Sequence, residues 1–146
     1  MKVSDALRSS RQVLATCIPE ESILTFATRL DALKIGAMPV ADAKGELVGV
    51  ISERDVVRAF ARDAARLVER RVRDLMACEV VTCGPEASLS EAEKLMDKHR
   101  IRHLPIVDGG KIVGMLSMRD VMACRLRDSR DEVSVLRDAM IATRNL

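Results

Sequence analysis

Ile101-Arg102-His103-Leu104-Pro105-Ile106-Val107-Asp108 followed by Gly110-Lys111-Ile112-Val113-Gly114-Met115-Leu116-Ser117-Met118-Arg119-Asp120 decides the fold, because the chain contains the same pattern twice. Its counterpart is Ile35-Gly36-Ala37-Met38-Pro39-Val40-Ala41-Asp42, 66 positions earlier, then Gly45-Glu46-Leu47-Val48-Gly49-Val50-Ile51-Ser52-Glu53-Arg54-Asp55, 65 positions earlier after a one-residue deletion in the turn. Working outward, Pro19-Glu20-Glu21-Ser22 aligns with Pro85-Glu86-Ala87-Ser88, and Val3-Ser4-Asp5-Ala6-Leu7 aligns with Val72-Arg73-Asp74-Leu75-Met76. Self-similarity at one period means two copies of a supersecondary unit, here of roughly 60 residues, followed by a tail.

Each copy reads as strand, helix, strand, turn, strand, helix. Ser22 is placed to cap a helix whose apolar residues Ile23, Phe26, Ala27, Leu30 and Leu33 recur at helical spacing. Ser88 with Glu91 forms a capping box ahead of Leu89, Ala92, Leu95 and Met96. Met38 to Ala41 and Leu104 to Val107 predict short buried strands, returned by Asp42-Ala43-Lys44-Gly45 and Asp108-Gly109-Gly110 into apolar partner strands. Second helices are expected from about Glu53 to Leu67 and from about Met118 to Arg127. The connector Val68 to Arg71 lacks Gly and Pro, which predicts that it prolongs a helix. Neither copy alone buries both its helices and its sheet, so the expectation is an α+β fold of two β-α-β-β-α repeats packed about a pseudo-two-fold axis, plus a C-terminal helix. Residues 1–67 form the first repeat with its leader, 68–127 the second with its connector, and 128–146 the helix.

Composition narrows the function. The 146 residues carry 24 Lys plus Arg against 22 Asp plus Glu, and the aromatics are Phe26 and Phe60 alone. A near-balanced charge without Trp or Tyr lacks both the basic field and the stacking platforms of a nucleic-acid reader. Charges appear within Met1 to Asp5, and apolar runs such as Leu47 to Ser52 fall far short of the roughly 18 residues of a membrane span, so no membrane insertion and a cytoplasmic location are expected. Cys17, Cys78, Cys83 and Cys124 are expected to be reduced core thiols. Cys78-x4-Cys83 with His99 and His103 comes near a zinc spacing, but Cys83 repeats Cys17 while His99 and His103 repeat Leu33 and Ala37, so no metal site is assigned. No Ser/His/Asp or Cys/His grouping stands out from the repeat, and the chain reads as non-enzymatic with no catalytic residue.

The doubled apolar-Pro-apolar element with Gly-x-x-Ser-x-x-Asp resembles the cystathionine β-synthase (CBS) domain, and two in tandem resemble a Bateman module, over roughly residues 3 to 127. The resemblance implies a regulatory module that binds an adenosine-containing ligand, such as AMP, ADP, ATP, S-adenosylmethionine or NAD, in clefts between the paired sheets. It carries the ribose hydroxyls to Asp55 and Asp120, ribose or phosphate to Ser52 and Ser117, and the adenine slot to Ala37 and Met38 in one copy and His103 and Leu104 in the other.

Elementary chemistry suits those positions. One carboxylate accepts both hydroxyls of a vicinal diol, and Arg54 and Arg119 sit at helix starts, where phosphates are favoured. Ser-x-x-Asp before a helix equally fits an N-cap, so capping and ligand binding both stand for Ser52/Asp55 and Ser117/Asp120. Arg102 and His103 replace Gly36 and Ala37 of the first copy, which makes the two sites inequivalent. For each, a ligand role stands beside a structural one: a solvated surface Arg and a half-buried strand residue. If His103 meets phosphate, binding should strengthen as it protonates near pH 6.5.

Beyond Asp128, Ser129 and Glu132 suggest a new capping box, with Val133, Leu136, Met140 and Thr143 on one face. That face folds back on its own module, or packs on a second subunit or an unidentified client protein. Family resemblance makes a homodimer the default. A competing reading is a constitutive dimeric interaction platform that binds no nucleotide, with the Ser-x-x-Asp elements acting only as caps.

Overall fold

The architecture is that of a computed structural model, which describes residues 1–10 and 13–144. In chain order it comprises α1 (Val3–Ser9), α2 (Ile23–Leu33), β1 (Ala37–Ala41), β2 (Leu47–Ser52), α3 (Glu53–Asp63), α4 (Val72–Leu75), α5 (Leu89–His99), β3 (His103–Asp108), β4 (Lys111–Ser117) and α6 (Met118–Arg144). Both copies build the same unit from the same signals. Ser22 Oγ accepts the Thr25 N–H at 3.1 Å, and Ser88 Oγ accepts the Glu91 N–H at 3.1 Å while Glu91 accepts the Ser88 N–H at 2.8 Å. Both helices end on a left-handed residue, Lys34 (φ 54°) and Arg100 (φ 53°), which turns the chain into the strand that follows.

Each unit contributes a two-stranded antiparallel sheet, β1 with β2 and β3 with β4, and each sheet has one bulge, at Val40/Ala41 and at Ile106/Val107. The leading strand expected in each copy is reduced to a single parallel bridge, Cys17 to Val40 and Cys83 to Ile106. The residues that follow, Pro19 and Pro85, cannot donate to a ladder, which limits the pairing.

The two cores exchange their leaders. Around Phe26, Leu30, Met38 and Ile51 of the first copy packs Val72 of α4; around Leu89, Met96, Leu104 and Leu116 of the second pack Val3 and Ala6 of α1. Backbone bonds fix the exchange in both directions. Val72 N–H donates to Glu21 O and Arg73 N–H to Pro19 O, while Val3 N–H donates to Ala87 O and Ser4 N–H to Pro85 O, all at 2.9 Å. The glycines of the repeated Val-Gly step make room for this packing. A Cβ on Gly49 would lie 2.8 Å from Met76 Sδ, and one on Gly114 would lie 2.8 Å from Leu7 Cδ1. Residues 1–9 therefore pack with the second repeat although they precede the first.

Two expectations are corrected. The connector does not prolong α3: a 3-10 segment, Ala64–Glu69, replaces it, and the chain then breaks at Arg70 so that Arg71 pairs with Ser22. At the other end no new helix begins at Ser129. With no Gly or Pro between Met118 and Arg144, α6 runs unbroken for 27 residues and absorbs the capping-box pattern; Asn145 and Leu146 of the expected 128–146 helix lie outside the described residues. Only the start of α6 is packed, through Val121 and Cys124, and from Ser129 to Arg144 every residue is exposed, so the tail does not fold back on its module. The cysteines also divide. Cys17 and Cys124 are buried and Cys83 is partly so, but Cys78 is exposed in a bend instead of lying in a core. Burial pushes the Cys17 thiol up to about 12, which keeps it protonated and inert.

Candidate functional site

Two clefts open between the halves, and each is built crosswise. The first, about 600 Å³, sets Ile35, Gly36 and Ala37 of the first copy against Val113, Met115 and Ser117 of the second. The second, about 1020 Å³, sets Ile101, Arg102 and His103 of the second copy against Val50, Ser52, Arg54 and Asp55 of the first. The pre-proline segment of one repeat thus faces the Ser-x-x-Asp element of the other.

Asp55 and Asp120 are capping residues first. Asp55 Oδ2 accepts the Ser52 N–H at 2.8 Å and its hydroxyl at 3.1 Å; Asp120 Oδ2 accepts the Ser117 N–H at 2.9 Å and its hydroxyl at 2.6 Å, and Ser117 Oγ accepts the Asp120 N–H at 3.1 Å. In both, Oδ1 takes no hydrogen bond from the described residues. Capping and ligand binding are therefore compatible: one carboxylate oxygen holds the helix start and the other has no hydrogen-bond partner among the described residues. Asp120 itself lines a depression beside the first cleft, sharing Ser10 with it.

Placement of the other expected site residues is uneven. Arg54, Arg102 and His103 line the second cleft, and Ala37 lines the first. The side chains of Met38 and Leu104 do not reach a cleft: strand alternation turns both into the cores, where they are fully buried. Arg119 is exposed and lines neither cleft. The structure adds Arg58 and Arg100 to the second cleft. Arg58 lies four residues after Arg54 and so shares its helix face, which was a readable signal; Arg100 is brought in by the left-handed turn that ends α5, which was not.

The clefts differ in charge. Arg54, Arg58, Arg100 and Arg102 surround the second, with Glu53, Asp55 and Glu79 as its acidic residues, and among the described residues none of these four arginines forms an ion pair. Among the described residues, the polar side chains of the first cleft are those of His103, Ser10 and Ser117.

His103 touches both. A Cβ on Gly36 would lie 3.3 Å from His103 Nε2 and 3.5 Å from Glu53 Oε1, so the imidazole packs on bare backbone between the two clefts. Burial holds its pKa below the usual 6.5, with Arg102 acting in the same direction and Glu53 and Asp120 opposing. At neutral pH it is uncharged, which revises the expectation that it titrates near 6.5 against a phosphate. The unfolded chain then binds this proton more readily, so stability is full above about pH 6.5 and falls as pH drops through the lower folded value. Thermal unfolding at about pH 7.5 and 5.5 should show a larger loss in the wild type than in His103→Asn; equal losses would contradict the burial argument.

Cys78, Cys83, His99 and His103 do not converge: among the described residues, no three His, Cys, Asp or Glu side chains are grouped to hold a metal ion. Among the described residues, no helix is long and apolar enough to cross a membrane.

The family description "CBS domain" matches residues 3–62 and 72–127. The chain belongs to the CBS-domain family. It is 34% identical over 111 residues to the CBS domain-containing protein YhcV of Bacillus subtilis, covering 74% of this chain and 76% of that protein. The CBS-domain protein ATU1752 of Agrobacterium tumefaciens superposes with a TM-score of 0.80 at 34% identity, covering 86% of this chain and 99% of that one. CBSX2, solved in complex with AMP, superposes with a TM-score of 0.74 at 28% identity, covering 88% and 98%. Other relatives are longer, and the chain spans 58% of the length of the uncharacterized protein MK0525 of Methanopyrus kandleri. The crossed clefts described above therefore lie in a CBS-domain pair.

Proposed function

We propose that this CBS-domain pair is a regulatory, non-catalytic module that binds an adenosine nucleotide in its second cleft and reports occupancy to a client protein. The observation that carries the reading is the set of four arginines, without ion-pair partners among the described residues, that lines the same cleft as Ser52 and Asp55 at the start of α3. Asp55 Oδ1 accepts ribose hydroxyls, the start of α3 and Arg54, Arg58 and Arg102 receive phosphate, and Val50, Val80, Val81 and Ile101 supply apolar walls for the base. AMP in the related CBSX2 supports the ligand class. The first cleft is the smaller of the two. Bound nucleotide changes what a client meets only as far as it prefers one arrangement of the two halves.

Thermal unfolding with adenosine, AMP, ADP, ATP, S-adenosylmethionine and NAD tests this. A nucleotide at 100 times its dissociation constant adds about 2.7 kcal/mol, several degrees for a chain of this size. The shift should be large with AMP, ADP or ATP, small with adenosine, and lost in Arg58→Ala/Arg102→Ala. An equal shift with adenosine, or one indifferent to the arginines, would refute the phosphate assignment. A constitutive interaction platform, favoured by the exposed apolar tail of α6, instead predicts no shift with any compound.

A further inference from the structure

We propose that the free length of α6 is one strand of a parallel two-stranded coiled coil formed with a second copy of this chain, an inference independent of the ligand reading. Met122, Leu126, Ser129, Val133, Leu136, Met140 and Thr143 follow one another at steps of 4, 3, 4, 3, 4 and 3, the heptad seam sustained over three turns of the repeat. All seven are exposed, the five apolar ones between 55% and 73%. The seam lies on a different side of α6 from Val121 and Cys124, which are buried in the second core. Core packing and seam therefore do not compete for the same face. The helix start is already ordered by the folded body, so association does not bear the cost of nucleating it.

The occupant is specified by the residues themselves. Leu126, Val133 and Met140 take the a positions and Met122, Ser129, Leu136 and Thr143 the d positions; β-branched Val133 at a with Leu136 at d favours two strands. The e positions after Ala123 are Arg130, Arg137 and Arg144, and the g positions are Arg125, Glu132 and Ala139. In an antiparallel pair e faces e, which sets arginine against arginine. A parallel pair sets Glu132 against the other copy's Arg137, twice by symmetry. Its unfavourable contact, Arg125 with Arg130, is relieved because Arg125 is held by Glu93 of its own chain at 2.7 Å. Charge thus selects a second, parallel copy.

Light scattering and sedimentation of the full chain in a Cys78→Ser background test the proposal, with the exposed thiol removed. The mass should be twice the 16.1 kDa of one chain. Leu136→Lys/Met140→Lys should give the monomer mass without moving the unfolding midpoint of the body. Glu132→Lys should weaken association at least about tenfold, and Glu132→Lys/Arg137→Glu should restore it. Leu136→Cys should oxidise to a covalent dimer, as only a parallel in-register pair brings that position to its own copy. A monomeric wild type, which would leave the seam to a client, or a dimer that survives Leu136→Lys/Met140→Lys, overturns the proposal. So does a charge exchange that fails to rescue.

Discussion

Val3→Asp is expected to unfold the half of the molecule built from the second repeat, although Val3 precedes the first. Val3 is fully buried against the core that holds Leu89, Met96, Leu104 and Leu116, and its N–H is committed to Ala87 O. A carboxylate there has no cation within that cluster, so it is either buried unpaired or protonated at a cost. Loss of about 3–5 kcal/mol is expected, a large share of the roughly 5–15 kcal/mol of an ordinary domain. Denaturant unfolding should show the lowered midpoint, and hydrogen exchange should show lost protection in β3 and β4 before β1 and β2. Val72→Asp should give the mirror result, with β1 and β2 opening first. A Val3→Asp protein within about 1 kcal/mol of wild type would mean that the leaders are not exchanged.

The second large effect is on ligand affinity. Asp55→Ala removes both the oxygen assigned to ribose and the acceptor of the Ser52 N–H. Loss of charge-assisted hydrogen bonds of about 1.5–3 kcal/mol corresponds to a fall in AMP affinity of about ten- to a hundredfold or more. Because the cap contributes about 0.5–2 kcal/mol to stability, Asp55→Asn is the companion variant, keeping an acceptor for the N–H while losing the charge. AMP affinity should fall in both variants, and stability more in Asp55→Ala. Unchanged affinity in both would leave Asp55 as a cap alone.

How much of this was legible follows from what a repeat can and cannot encode. The alignment of Ile35–Asp55 with Ile101–Asp120 located both hairpins, and Ser22 and Ser88 located the helix starts, because caps, turns and apolar periodicity are local. Which leader enters which core is not local. Val3 and Val72 are equally apolar and equally placed, so similarity showed that they correspond without showing that they trade places. The clefts escaped for the same reason: Ala37 and Ser52 belong to one copy, yet Ala37 shares its cleft with Ser117. Ser129-x-x-Glu132 looked like a helix start because its side chains suit a cap, but nothing before it stops the helix, and propagation of α6 prevails. The side chains of Met38 and Leu104 alternate inward with the strand, which leaves their backbone as the part that can line a slot.

The most direct test is a calorimetric titration of AMP into the wild type, Asp55→Ala and Asp120→Ala. The account predicts that Asp55→Ala loses binding while Asp120→Ala, whose carboxylate lies outside the arginine-lined cleft, keeps it. Loss in Asp120→Ala with full binding in Asp55→Ala would contradict the assignment of nucleotide to the arginine-lined cleft.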